Sequence, residues 1–63
     1  MSKFKKWLDG QGSLNQRLIR KKLFDAGISR STFYRLMRTG EANESTKSLI
    51  SITLIIDKSE IFE

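Results

Sequence analysis

The chain has 63 residues, with twelve Lys and Arg against seven Asp and Glu for a net charge of +5, and it contains neither Cys nor His. That length makes one domain, residues 1–63, whose core hides only about 60% of the unfolded surface and is marginal without reinforcement. Without Cys or His there is no disulfide, no zinc site and no imidazole base, so no metal or cofactor is expected, and self-association as a homodimer is the reinforcement left.

The absence of Cys fits a reducing cytoplasm. No run of about 18 apolar residues exists to span a membrane. Residues 1–12 are too polar for a secretory signal. The charge is unevenly spread. Residues 1–38 hold ten of the twelve basic side chains against only Asp9 and Asp25, a net +8, whereas residues 39–63 carry −3. A basic pole on a small domain points to a polyanionic partner.

In chain order, residues 2–9 read as a short helix. Phe4, Trp7 and Leu8 share one side and Lys3, Lys5 and Lys6 occupy the others. Gly10-Gln11-Gly12 ends it, glycine being suited to a left-handed cap. A second helix begins at Ser13, which with Gln16 makes a capping-box pattern, and runs to about Asp25. Its apolar residues Leu14, Leu18, Ile19, Leu23 and Phe24 form no single narrow stripe, which suits a helix touched by more than one neighbour. Arg17, Arg20 and Lys21 cluster on one side, and Lys22 can lay its stem on the core with its head in water.

Ala26-Gly27 closes that helix, Ile28 plugs the corner and Ser29 caps a third helix over about Arg30–Thr39 that Gly40 stops. At about 100° per residue, Phe33, Leu36 and Met37 fall on one side; Ser31, Tyr34, Arg35 and Arg38 fall on the other, with no acid among them. Such a face suits the floor of a DNA major groove.

Residues 41–44 form a polar loop, and Asn43 or Ser45 can cap the next element. Residues 49–56 satisfy two readings. Alternating Ile50, Ile52, Leu54 and Ile56 favour a strand; length and an upstream cap favour a helix. Asp57 and Glu60 then stand at capping-box spacing before Ile61 and Phe62, predicting a last helical turn that drops two apolar residues onto the core.

The string Gly27-Ile28-Ser29-Arg30-Ser31-Thr32, followed by Phe33, Leu36 and Gly40, resembles the turn, recognition helix and closing glycine of the Cro and lambda-repressor (Xre-like) helix-turn-helix regulators. The likeness covers roughly residues 13–62 and is strongest over residues 26–40. Leu23 departs from the family pattern, which usually has a small residue there, and a similar string also occurs in TetR-like and recombinase-type helix-turn-helices. The resemblance implies an all-α fold of four to five helices with residues 45–56 helical. The strand alternative would resemble Cro itself, where a C-terminal strand pairs two subunits.

The resemblance also implies a sequence-specific regulator of double-stranded DNA in a bacterial or phage-infected cell, of small phage or plasmid type and acting as a dimeric repressor. Its recognition helix would enter the major groove. Arg30, Ser31, Tyr34, Arg35 and Arg38 would then read bases, Arg35 foremost, because a guanidinium meets guanine with two hydrogen bonds. Ser13, Asn15, Gln16, Arg17, Lys21 and Thr39 would hold phosphates, which fix register rather than sequence.

Two other functions compete with this one. The fold can serve as a protein-binding module, for instance a phage protein acting on a host factor, or as an excisionase-like architectural DNA-binding factor. No enzyme is expected, for the chain lacks a nucleophile–base pair, a Gly-rich phosphate loop and a carboxylate cluster with metal spacing. No small-molecule ligand is evident.

Overall fold

Among the described residues, five helices follow the caps and glycines of the chain: α1 Lys3–Asp9, α2 Ser13–Asp25, α3 Arg30–Thr39, α4 Glu44–Leu54 and α5 Lys58–Ile61. The computed structural model describes residues 2–62, and among these there is no strand. The fold is therefore all-α, and residues 45–56 are helical as far as Leu54 and form no strand.

Four of the five helices begin at a side-chain cap. Ser2, Ser29, Asn43 and Asp57 each accept a hydrogen bond from a backbone N–H in the first turn, satisfying donors that the helix itself leaves orphaned. The second helix is the exception. Gly12, at φ 83° and ψ 153°, takes the cap position, so Ser13 is already helical and makes no side-chain cap bond. That conformation is nearly closed to any residue with a Cβ; the expected Ser13–Gln16 capping box does not form because the cap position falls on Gly12, which has no side chain to offer. The Gln16 side-chain amide instead donates to the Asp9 carbonyl, 3.3 Å away, tying α2 to the end of α1. Gly10 likewise ends α1 in a right-handed conformation, φ −77°, not the expected left-handed one.

Two helix ends close with a paired set of backbone bonds. After α2, Gly27 N–H donates to the Phe24 carbonyl and Ile28 N–H to that of Leu23; after α4, Ile55 and Ile56 donate to Ile52 and Ser51 in the same pattern. This is the Schellman closure, which places one residue in the left-handed region. In the first case that residue is Gly27; in the second it is Ile55, at φ 54°.

The core is Phe4, Leu8, Leu23, Ile28, Phe33, Leu36, Ile50, Ile61 and Phe62, all buried. The first helix packs on α2, α3 and α5; α2 also packs on α4, and α4 on α5. Phe4 is the hub of the aromatic packing. Its ring lies parallel to Phe62 at 5.9 Å between centroids and edge-on to Phe33 at 6.1 Å. Phe33 in turn meets Phe24 edge-on at 5.4 Å. Rings at these separations attract beyond their buried area, and the series links residues near both ends of the chain to the middle of α3. Ile61 and Phe62 are delivered by the one turn of α5 as expected.

The apolar residues of α2 do not all find neighbours. Leu23 is buried and Ile19 and Phe24 are half-buried, but Leu14 and Leu18 are 68% and 51% exposed. They lie on the side of the helix opposite Leu23; α2 is touched by two neighbours, α1 and α4, as expected, and this side of its first two turns stays largely exposed. Lys22 is exposed. No helix among the described residues is long and apolar enough to cross a membrane.

Candidate nucleic-acid interface

The third helix is pinned by its apolar side. Phe33 and Leu36 are buried, Met37 is half-buried, and the Ser2 hydroxyl donates to the Met37 carbonyl at 3.2 Å. At the helix start the Ser29 hydroxyl accepts from Thr32 N–H, also at 3.2 Å. With both ends and one side fixed, the remaining side turns to solvent. It carries Ser31, Tyr34, Arg35 and Arg38, all exposed. Tyr34 leans edge-on against Phe33, with centroids 5.5 Å apart, while its side chain stays exposed.

Arg30 does not join this group. Its guanidinium lies 5.5 Å from the centre of the Phe24 ring, a cation–π contact. There it borders a groove lined also by Leu14, Arg17, Leu18, Arg20, Lys21 and one acid, Asp25. The expected phosphate holders Arg17 and Lys21 thus share a surface with Arg30, and Ser13 and Asn15 are exposed in the first turn of the same helix.

Thr39 is turned inward in its bonding. Its hydroxyl donates to the Arg35 carbonyl at 2.9 Å and accepts from Glu41 N–H at 3.1 Å, closing the end of α3. Gln16 is similarly committed through its amide N–H to Asp9, although its carbonyl oxygen makes no hydrogen bond with a described residue.

A second cleft, of about 620 Å³, opens at the far end of α3. Lys3, Arg35 and Lys47 line it together with Thr39, Asn43 and Glu41, and the Lys3 ammonium donates to the Ser59 carbonyl. Lys47 Nζ lies 5.7 Å from the Phe62 ring centre, so the aromatic core sets its position. The Arg35 guanidinium reaches to within 3.7 Å of the Glu41 carboxylate. Three cations against one acid, beside the capped start of α4, make a place where an anion is favoured. Lys47 was not singled out from the sequence because it sits in the acidic half of the chain. The fold brings it to the same cleft as Arg35.

The exposed side of α3 is therefore flanked by two basic surfaces, one on α2 and one at the α3–α4 corner. Among the described residues no group of three carboxylates stands close enough to hold a metal ion. A surface of this kind can hold a polyanion and present a few hydrogen-bonding side chains to it. Comparison with protein-family models, curated proteins and solved structures finds no match to this chain.

Proposed function

We propose that the chain is a sequence-specific regulator of double-stranded DNA, acting as a repressor that occupies its operator through α3. The observation that carries this reading is the exposed, acid-free side of α3, with Ser31, Tyr34, Arg35 and Arg38 standing on a helix fixed by Phe33, Leu36, Ser29 and Ser2. A rigid helix bearing guanidinium and hydroxyl groups suits the major groove, where the donor and acceptor pattern identifies each base pair. Arg35 and Arg38 would read bases, with Tyr34 against a thymine methyl or a phosphate. Arg17, Lys21 and Arg30 on one flank, and Lys3 and Lys47 on the other, would hold phosphates and set register. The resemblance of residues 13–62 to Cro and lambda-repressor regulators supports the same reading. On it, the protein works in the cytoplasm of a bacterial or phage-infected cell, in pairs, by occupancy alone.

Selection of bound duplexes from a random DNA pool tests this directly. A consensus built from two half-sites about 10 base pairs apart, or a multiple of that, is the expected result. Binding should also weaken steeply with salt, because each neutralised phosphate releases a counterion. No consensus at any salt, or binding indifferent to salt, overturns the reading.

A second reading has one observation in its favour. Leu14 and Leu18 stand exposed among Arg17, Arg20 and Lys21, a surface that fits an acidic segment of a protein partner. Under that reading Leu14→Ser with Leu18→Ser removes function while Arg35→Ala with Arg38→Ala spares it; the DNA reading expects the reverse.

A further inference from the structure

We propose that the groove between α2 and the start of α3 docks an acidic, amphipathic helix of another protein, and that the docked helix competes with DNA for the cations on that flank. The groove has a volume of about 580 Å³. Leu14 and Leu18 line it from α2 and are 68% and 51% exposed. Arg30 lines it from α3, its guanidinium over the half-buried ring of Phe24.

The charge of the groove sets the charge of its occupant. Arg17, Arg20, Lys21 and Arg30 line it against a single acid, Asp25, for a net +3. Among the described residues none of these four cations lies within ion-pair distance of a carboxylate. Their charge is left for a group from outside, and that group is acidic.

The leucines set the rest of its chemistry. Leu14 and Leu18 are one helical turn apart and stand together on the solvent side of α2. Covering them with apolar atoms is favourable, whereas a phosphate backbone brings charged oxygens to the same place and leaves both in water. A flat anionic bilayer matches the charge but not the concave shape, and the exposed Asp25 carboxylate repels a sheet of like charge. A single helix satisfies all three conditions. Its apolar anchors, spaced three and four residues apart, enter beside Leu14, Leu18 and Phe24, and its Asp and Glu side chains flank them.

Arg17, Lys21 and Arg30 are also the cations that the operator reading gives to phosphates on this flank. Carboxylates seated on them take the place of the DNA backbone, so the partner releases the operator. This competition rests on the operator reading, but the docking does not, because it forms and is measured without DNA. It also leaves α3 to DNA, unlike a protein module that uses no DNA at all. A contact confined to one groove lies at the small end of protein interfaces, where binding is weak.

The probe is a labelled helical peptide of about 18 residues built on Ala, with Leu at alternating three- and four-residue spacings and Glu beside each Leu. Its control has the same composition in shuffled order. Fluorescence anisotropy with the full chain, without DNA, should give a Kd of about 10–100 μM for the first peptide and at least about tenfold weaker binding for the second. Leu14→Ser with Leu18→Ser, and separately Arg17→Ala with Lys21→Ala, should each weaken the first peptide about tenfold without loss of helical circular dichroism. Arg35→Ala with Arg38→Ala should bind it as the parent does. No binding, equal binding of the two peptides, or full binding by the leucine variant overturns the docking. So does sedimentation with phosphatidylglycerol vesicles that the leucine variant abolishes, which marks a lipid-facing surface instead. The unlabelled first peptide should also displace a labelled duplex from the parent chain. A duplex that binds and is not displaced overturns the competition alone. A chain that binds no duplex at low salt overturns the operator reading and the competition with it, and the peptide measurement still decides the docking.

Discussion

The hydroxyl of Ser2 donates to the Met37 carbonyl at 3.2 Å while accepting from Lys5 N–H at 3.0 Å. One buried side chain thus caps α1 and satisfies a carbonyl in the last turn of α3, where the helix has no partner of its own to offer. The candidate DNA-facing helix is in this way held at its far end by the second residue of the chain.

Loss of that link is expected to be costly. Ser2→Ala removes a cap and leaves a shielded carbonyl unpaired, for about 1–3 kcal/mol in all. In a domain of this size each kcal/mol lowers Tm by about 4–8 °C. Gly40→Ala attacks the same corner from the other side, because a Cβ there would stand 3.0 Å from the Ser2 Cβ at a backbone φ of 77°. Thermal melts by circular dichroism should show both variants destabilised.

Glu41 stands in the anionic path of the α3–α4 cleft, 3.7 Å from Arg35. Both side chains are exposed, so the pair contributes little to folding. Glu41→Gln should leave Tm nearly unchanged and strengthen DNA binding about 3- to 10-fold, up to about 1.4 kcal/mol, with the gain shrinking as salt rises. Fluorescence anisotropy with a selected duplex, repeated across salt concentrations, reads both effects.

Base contacts and phosphate contacts should separate in the same assay. Arg35→Ala or Arg38→Ala should reduce discrimination between the selected duplex and one changed at the matching base pair by about 1–3 kcal/mol. Lys21→Ala and Lys47→Ala should weaken binding to both duplexes alike and lower the salt slope by about one per lysine.

Phe62 tests how much of the fold depends on the turn of α5 and the ring it delivers. That ring stacks on Phe4 at 5.9 Å and carries Lys47 on its edge of the cleft. Phe62→Ala should cost about 3–5 kcal/mol, a large share of the roughly 3–9 kcal/mol expected for a domain this short. Urea titration followed by circular dichroism should find the variant largely unfolded at 37 °C, whereas Phe62→Leu retains a cooperative transition.

Ile55→Gly should relieve the left-handed strain at φ 54° and raise stability by about 1 kcal/mol. A higher Tm in thermal melts by circular dichroism is the expected result.

Local chemistry was legible in the sequence wherever a backbone need has a dedicated residue. Ser29, Asn43 and Asp57 cap helices because their short oxygens reach N–H groups two or three residues on. Gly40 ends α3 because a left-handed residue is needed there. The two sides of α3 follow from 3.6-residue periodicity, and so did the exposure of Ser31, Tyr34, Arg35 and Arg38. What these residues contact was a different question. Residues 49–56 fit a strand or a helix equally by pattern. An eleven-residue helix is barely stable by itself, and burial of Ile50 and Leu54 against α2 and α5 decided it, at the expense of leaving Ile52 in water. Leu14 and Leu18 looked like core and were left exposed, because periodicity says which residues share a side and not which side meets a neighbour. Gln16 and Thr39 looked like free hydrogen-bonding groups, and the ends of α1 and α3 claimed them. Lys3 and Lys47, far apart along the chain, line one cleft with Arg35 because tertiary packing, including the Phe4–Phe62 stack, brings α1, α3 and α4 together. Helix boundaries depend on short-range bonds that the order of residues already contains; the cleft and the exposed leucines depend on which surfaces the packed rings leave uncovered.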